Sequence, residues 1–241
     1  MKLSTSPFII IALGGSLVSP HVVEKGPLDV LFLRRFRKFL LKELSKGRRF
    51  CLIVGGGKIA RQYQKAAGKV VSVPPEDLDW IGIHAIRLNA HLLRTIFAKE
   101  AHPVVIDHDP SEKEVKTLNA SHAQLFIASG WRPGWSTDYV AVRLAQLVGA
   151  KEVIIAGDTA FVHEKDPRKF PLAKPVHSIS WERYARLIPR KWKPGLSLPV
   201  DPVATKLAGS IGLKAKILKG NDLKNFAKAI EGKPFTGTLI Q

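Results

Sequence analysis

Two glycine-rich turns each follow a short apolar run and could hold phosphate groups. The first is Gly14-Gly15-Ser16, after residues 8–13, and the second is Gly55-Gly56-Gly57, after residues 50–54. Glycine has no Cβ, so the backbone N–H groups of such turns can approach phosphate oxygens, and a helix that begins there adds favourable partial charge. Two turns of this kind predict two bound anionic groups, as phosphoryl transfer requires.

Three cations follow these turns or lie near a helix start. Lys58 and Arg61 share one helix face, so a polyphosphate on Gly55-Gly56-Gly57 would contact both. Lys206 lies one turn into a helix that Asp201-Pro202 begins, where a lysine can neutralise a phosphoryl group in transfer. Solvated basic side chains are the alternative interpretation, and neither glycine turn has the spacing of a Walker A loop.

The segment 130–138 is the second region whose residues could bind a ligand or take part in a reaction. Its glycines and proline predict an unusual loop, and Ser136 and Thr137 can donate hydroxyl and amide hydrogens to another phosphate at a helix start. Asp138 either caps that helix or orients a cationic side chain. The two tryptophans either pack the loop or flank a base. Asp79, on a predicted helix at 76–99, is either a ribose ligand or an ordinary surface carboxylate.

Charge and composition limit the classes of partner. The chain has 241 residues and a formal net charge of +18, and the basic residues cluster at 34–49, where Glu43 is the one acidic residue. Nucleic acid or another polyanion is a possible partner, but a solvated helix face is favoured because no nucleic-acid-binding motif accompanies the cluster.

The cysteine, the histidines and the hydropathy pattern predict a cytoplasmic protein without a membrane span. Cys51 is the only cysteine and lies in an apolar run, which predicts a core residue and a reducing compartment. The histidines have no metal-ligand spacing, so no protein-held metal site is predicted. No run approaches the about 18 apolar residues that a membrane span needs, so no membrane association is expected.

Alternating strand and helix patterns predict an α/β fold with a mostly parallel sheet covered on both faces. Strands are predicted at 8–13, 50–54, 103–107, 125–128, 152–156, 214–218 and 235–240, and helices at 29–46, 57–67, 76–99, after Ser111, from Ser136 to about 148, from Asp201 and at 221–230. Residues 158–200, rich in proline and basic residues, are interpreted as an irregular insertion or lid within a single domain, 1–241. Ligands of such sheets bind beyond the carboxyl ends of the strands. The two glycine turns, the 129–138 loop and Gly157-Asp158 are expected to converge there.

These segments together resemble the amino acid kinase family, closest to its archaeal uridylate kinase branch. The most specific likenesses are residues 12–16, 55–61, 79–83 with 87–90, 133–138 and 201–206, and the resemblance covers nearly the whole chain. It implies a three-layer αβα sandwich that transfers the γ-phosphoryl of ATP to UMP, with Mg²⁺ accompanying ATP. It also implies self-association into dimers or into hexamers of dimers.

The resemblance implies a role for each matching residue. The ATP phosphates would lie on Gly14, Gly15, Ser16, Gly57 and Arg61, and the nucleoside part of ATP on Gly157, Asp158, His163 and Asp166. UMP would lie on Gly56, Asp79, Trp131, Arg132, Pro133, Gly134, Trp135, Ser136 and Thr137. Lys206 matches a lysine near the transferred phosphoryl group, and Lys58, Asp138 and Asp158 are the other catalytic candidates.

Two departures from the family pattern keep other functions open. Many relatives carry a lysine where this chain has Ala12, so Lys58 or Lys206 would have to supply the missing charge. The segment 157–163 replaces a pattern close to Thr-Asn-Val-Asp-Gly-Val-Tyr and places His163 where a tyrosine often borders adenine. The alternatives are a kinase with another small acceptor, such as isopentenyl phosphate, and a catalytically impaired nucleotide- or anion-binding or storage protein.

Overall fold

The computed structural model describes residues 7–20, 26–167, 169–191 and 198–241. Strands and helices alternate through most of this length, as the sequence pattern predicts. In chain order the elements are β1 (Phe8–Leu13), α1 (Gly15–Val18), α2 (Val30–Leu44), β2 (Arg49–Val54), α3 (Gly57–Val70), α4 (Pro75–Ile96), α5 (Glu112–Ala120), β3 (Leu125–Ala128), α6 (Thr137–Val148), β4 (Glu152–Gly157), β5 (Val162–His163), β6 (Pro175–Val176), β7 (Ser178–Ile179), α7 (Trp181–Leu187), α8 (Pro202–Ser210), β8 (Lys214–Lys219), α9 (Leu223–Ile230) and β9 (Thr238–Ile240).

The described residues form one large mixed sheet with the strand order β3-β2-β1-β4-β8-β9-β7. The five strands from β3 to β8 are mutually parallel, β9 runs antiparallel to β8, and β7 is parallel to β9. Because the first five strands share one direction, their carboxyl ends meet at one edge. The predicted α/β class with a mostly parallel sheet is confirmed.

Helices cover both faces of this sheet and bury two hydrophobic cores. One core lies between the sheet and α6, α7 and α8, where Val140, Tyr184 and Ala204 are buried. The other lies between the sheet and α2, α4 and α9, where Phe36, Leu93 and Phe226 are buried. The five parallel strands are apolar on both sides because each of them contacts both cores, and the result is the three-layer αβα sandwich.

The predicted strand at 103–107 is wrong. Only isolated bridges form there, from Ala101 to Leu125 and from Ile106 to Ala128. Pro103 has no N–H to donate, and Val104 is exposed on the outside of the sheet edge. The backbone N–H groups of His102 and Ile106 still reach β3, so the segment follows the edge without forming a ladder.

The last predicted strand, 235–240, is too long. The side chain of Asn225 on α9 accepts a hydrogen bond from the Thr236 N–H at 2.7 Å and donates one to the Thr236 carbonyl at 2.8 Å. The backbone N–H and carbonyl of Thr236 are therefore hydrogen-bonded to a side chain and do not pair with a neighbouring strand. Pairing begins only at Thr238, where β9 meets β8.

The segment 158–200 contains regular elements where it is described. β5 and β6 form a small antiparallel pair, while β7 joins the edge of the main sheet beside β9. α7 packs on α8, and the Trp181 indole N–H donates to the Leu213 carbonyl at 2.6 Å. Its assignment to an insertion or lid of a single domain stays a prediction.

Cys51 lies in the interior of β2. It is 4% exposed, and burial raises the pKa of its thiol to about 12. A thiol with that pKa stays protonated at neutral pH and packs as a small apolar group. Among the helices that the structure describes, none has the length and hydropathy to cross a membrane.

Candidate functional site

A cavity of about 260 Å³ opens beyond the carboxyl ends of β1, β2 and β4. Both glycine turns line it, together with the start of α6 and the end of β4, so the segments expected to converge do converge. The predicted site residues on its wall are Gly14, Gly15, Ser16, Gly56, Gly57, Arg61, Asp79, Arg132, Trp135, Ser136, Thr137, Asp138, Gly157 and Asp158.

The two glycine turns are in direct backbone contact. A Cβ on Gly15 would lie 2.1 Å from the Gly57 nitrogen, and a Cβ on Gly57 would lie 2.4 Å from the Gly15 oxygen. Gly57 also has a φ of +64°, which disfavours any other residue. The turns must therefore be glycine at these positions, and their contact leaves the backbone of both exposed to the same cavity.

Asn89 of α4 fixes the second turn from below. Its side-chain amide donates to the Gly55 carbonyl at 2.9 Å and to the Gly56 carbonyl at 3.3 Å, and the residue is 2% exposed. By holding the carbonyl groups on the buried side, Asn89 restricts the orientation of the peptide units that carry the N–H groups. Removing this amide would leave buried carbonyl groups without a donor, which costs about 1–3 kcal/mol of folding stability.

Asp79 joins α4 to the 130–138 loop. Its carboxylate accepts a hydrogen bond from the Gly134 N–H at 2.9 Å. Burial raises the pKa of Asp79, and the bond from Gly134 partly offsets this effect. The carboxylate therefore orders the loop from one side, and it lines the cavity on the other.

The two tryptophans of the loop have different positions. Trp131 is 4% exposed and donates its indole N–H to the Ile106 carbonyl at 3.2 Å, so it packs the loop against the sheet edge. Trp135 lines the cavity, and the Arg132 guanidinium lies 3.8 Å from its ring centroid. A planar cation stacked on an aromatic ring gives this wall a positive, flat surface.

Ser136 rather than Asp138 caps α6, so the capping interpretation of Asp138 is wrong. The Ser136 hydroxyl accepts from the Tyr139 N–H at 3.0 Å and also donates to the Asp201 carboxylate. Ser136 has the extended backbone of an N-cap, whereas Asp138 is already in the first helical turn. Asp138 lines the cavity from this position.

Asp138 and Asp201 form a pair of carboxyl groups beside the cavity. Asp201 is 4% exposed and caps α8 by accepting from the N–H groups of Val203 and Ala204. Burial and the charge of Asp201 raise the pKa of Asp138 well above its ordinary value, while the Asp201 backbone N–H lowers it in part. The ionised form of Asp138 is therefore disfavoured in the free protein, and a cationic side chain or Mg²⁺ bound here would favour it.

Tyr184 fixes the residue that precedes Asp201. Its hydroxyl donates to the Val200 carbonyl at 2.8 Å and accepts from the Val200 N–H at 2.9 Å, and the side chain is 1% exposed. Burial raises the pKa of this phenol, so it stays protonated and can donate. The start of α8 is therefore anchored to α7 and to α6 at once.

Several predicted site residues lie elsewhere. His163 and Asp166 line a second cavity, of about 280 Å³, which shares Asp158 and Thr159 with the main one. Lys206 is exposed on α8, and neither Lys206 nor Lys58 lines either of these two cavities. Three further residues, Trp131, Pro133 and Gly134, shape the loop without lining the main cavity.

The described residues contain no group of three or more histidine, cysteine, aspartate or glutamate side chains able to hold a metal ion. Three carboxylates, Asp79, Asp138 and Asp158, do line the main cavity, and Asp79 already accepts a hydrogen bond from Gly134. Mg²⁺ in phosphate-binding sites is usually held by one or two carboxylates together with substrate phosphates and water. The donor set therefore fits an ion that arrives with a polyphosphate.

The structure also identifies positioning residues that the sequence pattern did not reveal. Asp201 was recognisable only as a helix cap, and its bonds to α6 depend on the tertiary fold. Tyr184 lies in a segment of weak periodicity, and nothing in its neighbours indicates the bond to Val200. Asn89 lies within the range 87–90 that carries part of the resemblance, but nothing in the sequence indicates its contact with the second glycine turn.

Known proteins are similar to this chain in both sequence and fold. The sequence model of the amino acid kinase family matches residues 7–219, and the chain belongs to this family. The uridylate kinase of Thermococcus sibiricus is 32% identical over 235 residues, covering 97% of this chain and 99% of that protein. The uridylate kinase of Methanocaldococcus jannaschii is 31% identical over 236 residues, with 97% and 99% covered.

Solved structures give the same result. The uridylate kinase of Archaeoglobus fulgidus superimposes with a TM-score of 0.77 at 28% identity, covering 98% of this chain and 100% of that one. The UMP kinase of Bacillus anthracis has a TM-score of 0.76 at 19% identity, covering 98% and 96% of the two chains, and it shows the shared fold alone.

The raised pKa of Asp138 predicts a pH-dependent stability. A carboxyl group with a raised pKa binds its proton more tightly in the folded state, so folding stability falls as pH rises above the ordinary value of 3.8. Asp138→Asn removes this penalty. We expect the variant to gain stability over the parent protein as pH rises from 5 towards the folded-state pKa, measured by urea unfolding at a series of pH values.

The matched control is Asp77→Asn, which changes an exposed carboxylate on α4. Its stability difference from the parent should stay constant over the same pH range. An Asp138→Asn difference that is equally flat would show that the carboxyl pair stores no electrostatic strain.

Proposed function

We propose that this protein is an ATP-dependent phosphotransferase that converts UMP and ATP into UDP and ADP. The observation that carries the proposal is the contact between the two glycine turns, which brings two phosphate cradles and the 130–138 loop to one cavity. Full-length similarity to uridylate kinases supports the same acceptor and donor. Catalysis in such a site consists of positioning and charge neutralisation, without a covalent intermediate.

The donor half of the site would be the first turn and the neighbouring end of β4. The backbone of Gly14, Gly15 and Ser16, with Gly57 and Arg61, would hold the ATP phosphates. Asp158 and Gly157 lead from this cradle to the second cavity, where His163 and Asp166 would border the nucleoside. The shared wall of the two cavities supports this assignment, because a nucleoside triphosphate must reach from one to the other.

The acceptor half would be the wall that Asp79 and the 130–138 loop form together. Gly56 and the start of α6, with Ser136 and Thr137, would contact the UMP phosphate, and the Arg132–Trp135 stack would face the nucleotide. Trp131, Pro133 and Gly134 would act by holding the loop in shape. The bond between Asp79 and Gly134 supports this arrangement, since it couples loop shape to a cavity-lining carboxylate.

Mg²⁺ would supply charge neutralisation for the transferred phosphoryl group. Asp138 and Asp158 are the side chains that would hold it, either directly or through water. We also propose the cytoplasm as the compartment, supported by the single buried cysteine and the absence of any disulfide that it could form within the chain.

The acceptor is tested by incubating the pure protein with Mg-ATP and a panel of acceptors while ADP is measured. The panel contains UMP, CMP, AMP, GMP and isopentenyl phosphate. We expect UMP to be phosphorylated with the highest kcat/KM. A higher kcat/KM for isopentenyl phosphate than for UMP would contradict UMP as the acceptor. If no acceptor gives ADP while calorimetry still detects nucleotide binding, the protein is a catalytically impaired binding protein.

The source of the charge that Ala12 does not provide is tested at two lysines. Lys206→Ala is expected to lower kcat by a factor of about 10² or more with little change in KM, because its cation would act mainly in the transition state. Lys58→Ala is expected to have the smaller effect. The exposed Lys151→Ala serves as the control, and an unchanged kcat in Lys206→Ala would exclude Lys206 from the transition state.

We also propose that the protein self-associates through an apolar surface on α3 and α4. Tyr63 and Leu88 are both 62% exposed there, and Trp80 lines the same apolar depression. A contiguous exposed apolar surface of this kind marks an interaction site, and a second copy of the chain is the occupant that we propose.

Self-association is tested by light scattering of the double variant Tyr63→Lys and Leu88→Lys. We expect the parent protein to be a dimer or a larger assembly and the variant to lose that contact. The control carries Leu172→Lys, which changes an exposed apolar residue outside the surface. A monomeric parent, or an unchanged assembly in the double variant, would contradict the proposal.

A further inference from the structure

The outer face of α2 is a row of cations. Arg34, Lys38 and Lys42 recur every four residues and are exposed, with Arg35 beside them. A helix rises about 1.5 Å per residue, so the three aligned cations span about 12 Å. The opposite face of the helix is occupied, because Phe32, Phe36 and Leu40 are buried against the sheet. The cations are therefore fixed to a rigid support.

Helix α9 extends this face with two further exposed lysines, Lys224 and Lys228. The two helices are in contact through aromatic rings, with centroids 5.4 Å apart between Phe39 and Phe226. This contact places the exposed cations of α9 on a helix beside α2. We call this surface, made of Arg34, Arg35, Lys38, Lys42, Lys224 and Lys228, the basic face.

The basic face has no internal compensation. None of its six cations forms an ion pair with any residue in the described ranges of the chain. The acidic residue of α2, Glu43, is buried and already paired with Lys46 and Arg48. Glu231, at the end of α9, is paired with Lys46 and Lys233. The charge of the six cations is thus directed to solvent.

The chemistry of this face fits the phosphate backbone of a double helix. The phosphates of each strand follow one another with a rise of about 3.4 Å along the helix axis, so the row of about 12 Å on α2 can contact several of them. The basic face carries no exposed aromatic ring, whereas single-strand binding depends on aromatic stacking. A bilayer surface fits less well, because Phe32, Phe36 and Leu40 of α2 are already buried and Val30 and Leu31, in its first turn, are the apolar residues of this helix that are strongly exposed.

We propose that the basic face is a sequence-independent binding site for double-helical nucleic acid. None of its six residues lines the cavity beyond the strand ends, so the site is separate from the proposed catalytic one. A formal net charge of +18 adds long-range attraction for such a partner. The proposal does not depend on which acceptor the cavity binds.

The test compares two variants with equal loss of charge. The first is Arg34→Gln, Arg35→Gln, Lys38→Gln and Lys42→Gln on the basic face. The second is Lys99→Gln, Lys113→Gln, Lys116→Gln and Lys151→Gln at exposed sites elsewhere. Binding of a short mixed-sequence RNA duplex and of a DNA duplex is followed by fluorescence anisotropy over a range of salt, with excess ATP and UMP present to fill the cavity.

We expect the parent protein and the second variant to bind at least one of the duplexes with a steep dependence on salt. The first variant should bind it at least about tenfold more weakly, and its slope of log K against log salt should be shallower by about three to four units. Thermal unfolding and phosphoryl transfer check that both variants are folded.

Three results would overturn the proposal. The first is that the parent protein fails to bind either duplex at low salt. The second is that the two variants lose affinity equally, which would show that the effect depends on net charge and not on the basic face. The third is binding of vesicles of phosphatidylcholine and phosphatidylserine in preference to both duplexes, which would identify a membrane surface as the partner.

Discussion

The contact of Gly15 with Gly55 and Gly57 is the constraint on which the site depends. At these positions a Cβ would occupy the space of the neighbouring backbone, with nearest separations of 2.1–2.7 Å. β1 and β2 are adjacent and in register, so their turns necessarily emerge side by side. Because the two glycine turns are in contact, their backbones form one continuous surface. The same contact explains why Asn89 is buried beneath it, since peptide groups packed this tightly need their carbonyls satisfied from below.

A second constraint is electrostatic and opposes stability. The carboxyl groups of Asp138 and Asp201 are held together by the caps of α6 and α8, and Tyr184 prevents α8 from moving away. In the absence of cations this arrangement disfavours the ionised form of Asp138. A cationic group bound there would reduce the repulsion between the two carboxylates. The repulsion therefore lowers the stability of the free protein and not that of the bound protein. Local strain of this kind is commonly found where a site has to accept charge.

Much of the fold was predictable because buried parallel strands leave continuous apolar runs and their turns carry glycine. The errors have identifiable causes. Pro103 prevents a ladder at the sheet edge, and Asn225 takes the backbone groups of Thr236 across the chain, an interaction that no local pattern reveals. In the site, the glycine turns, Asp79 and the 130–138 loop could be located from spacing and resemblance. The different positions of Trp131 and Trp135 could not, because both are the same residue type in one loop and only the fold assigns one to packing.

Ala12 changes how this cavity can hold a phosphate. It is 3% exposed on β1 and pairs with Ile53 and Ile155, so the floor of the cavity is apolar. A lysine at that position would place a buried charge in the free protein, which is costly without a partner. In the proposed function, the fixed positive potential would come from backbone N–H groups with alanine here, and further charge would come from cations at the rim, of which Arg61 and Arg132 line the cavity. The floor of the free site then carries no buried charge, and more of the neutralisation would have to be assembled when a nucleotide binds.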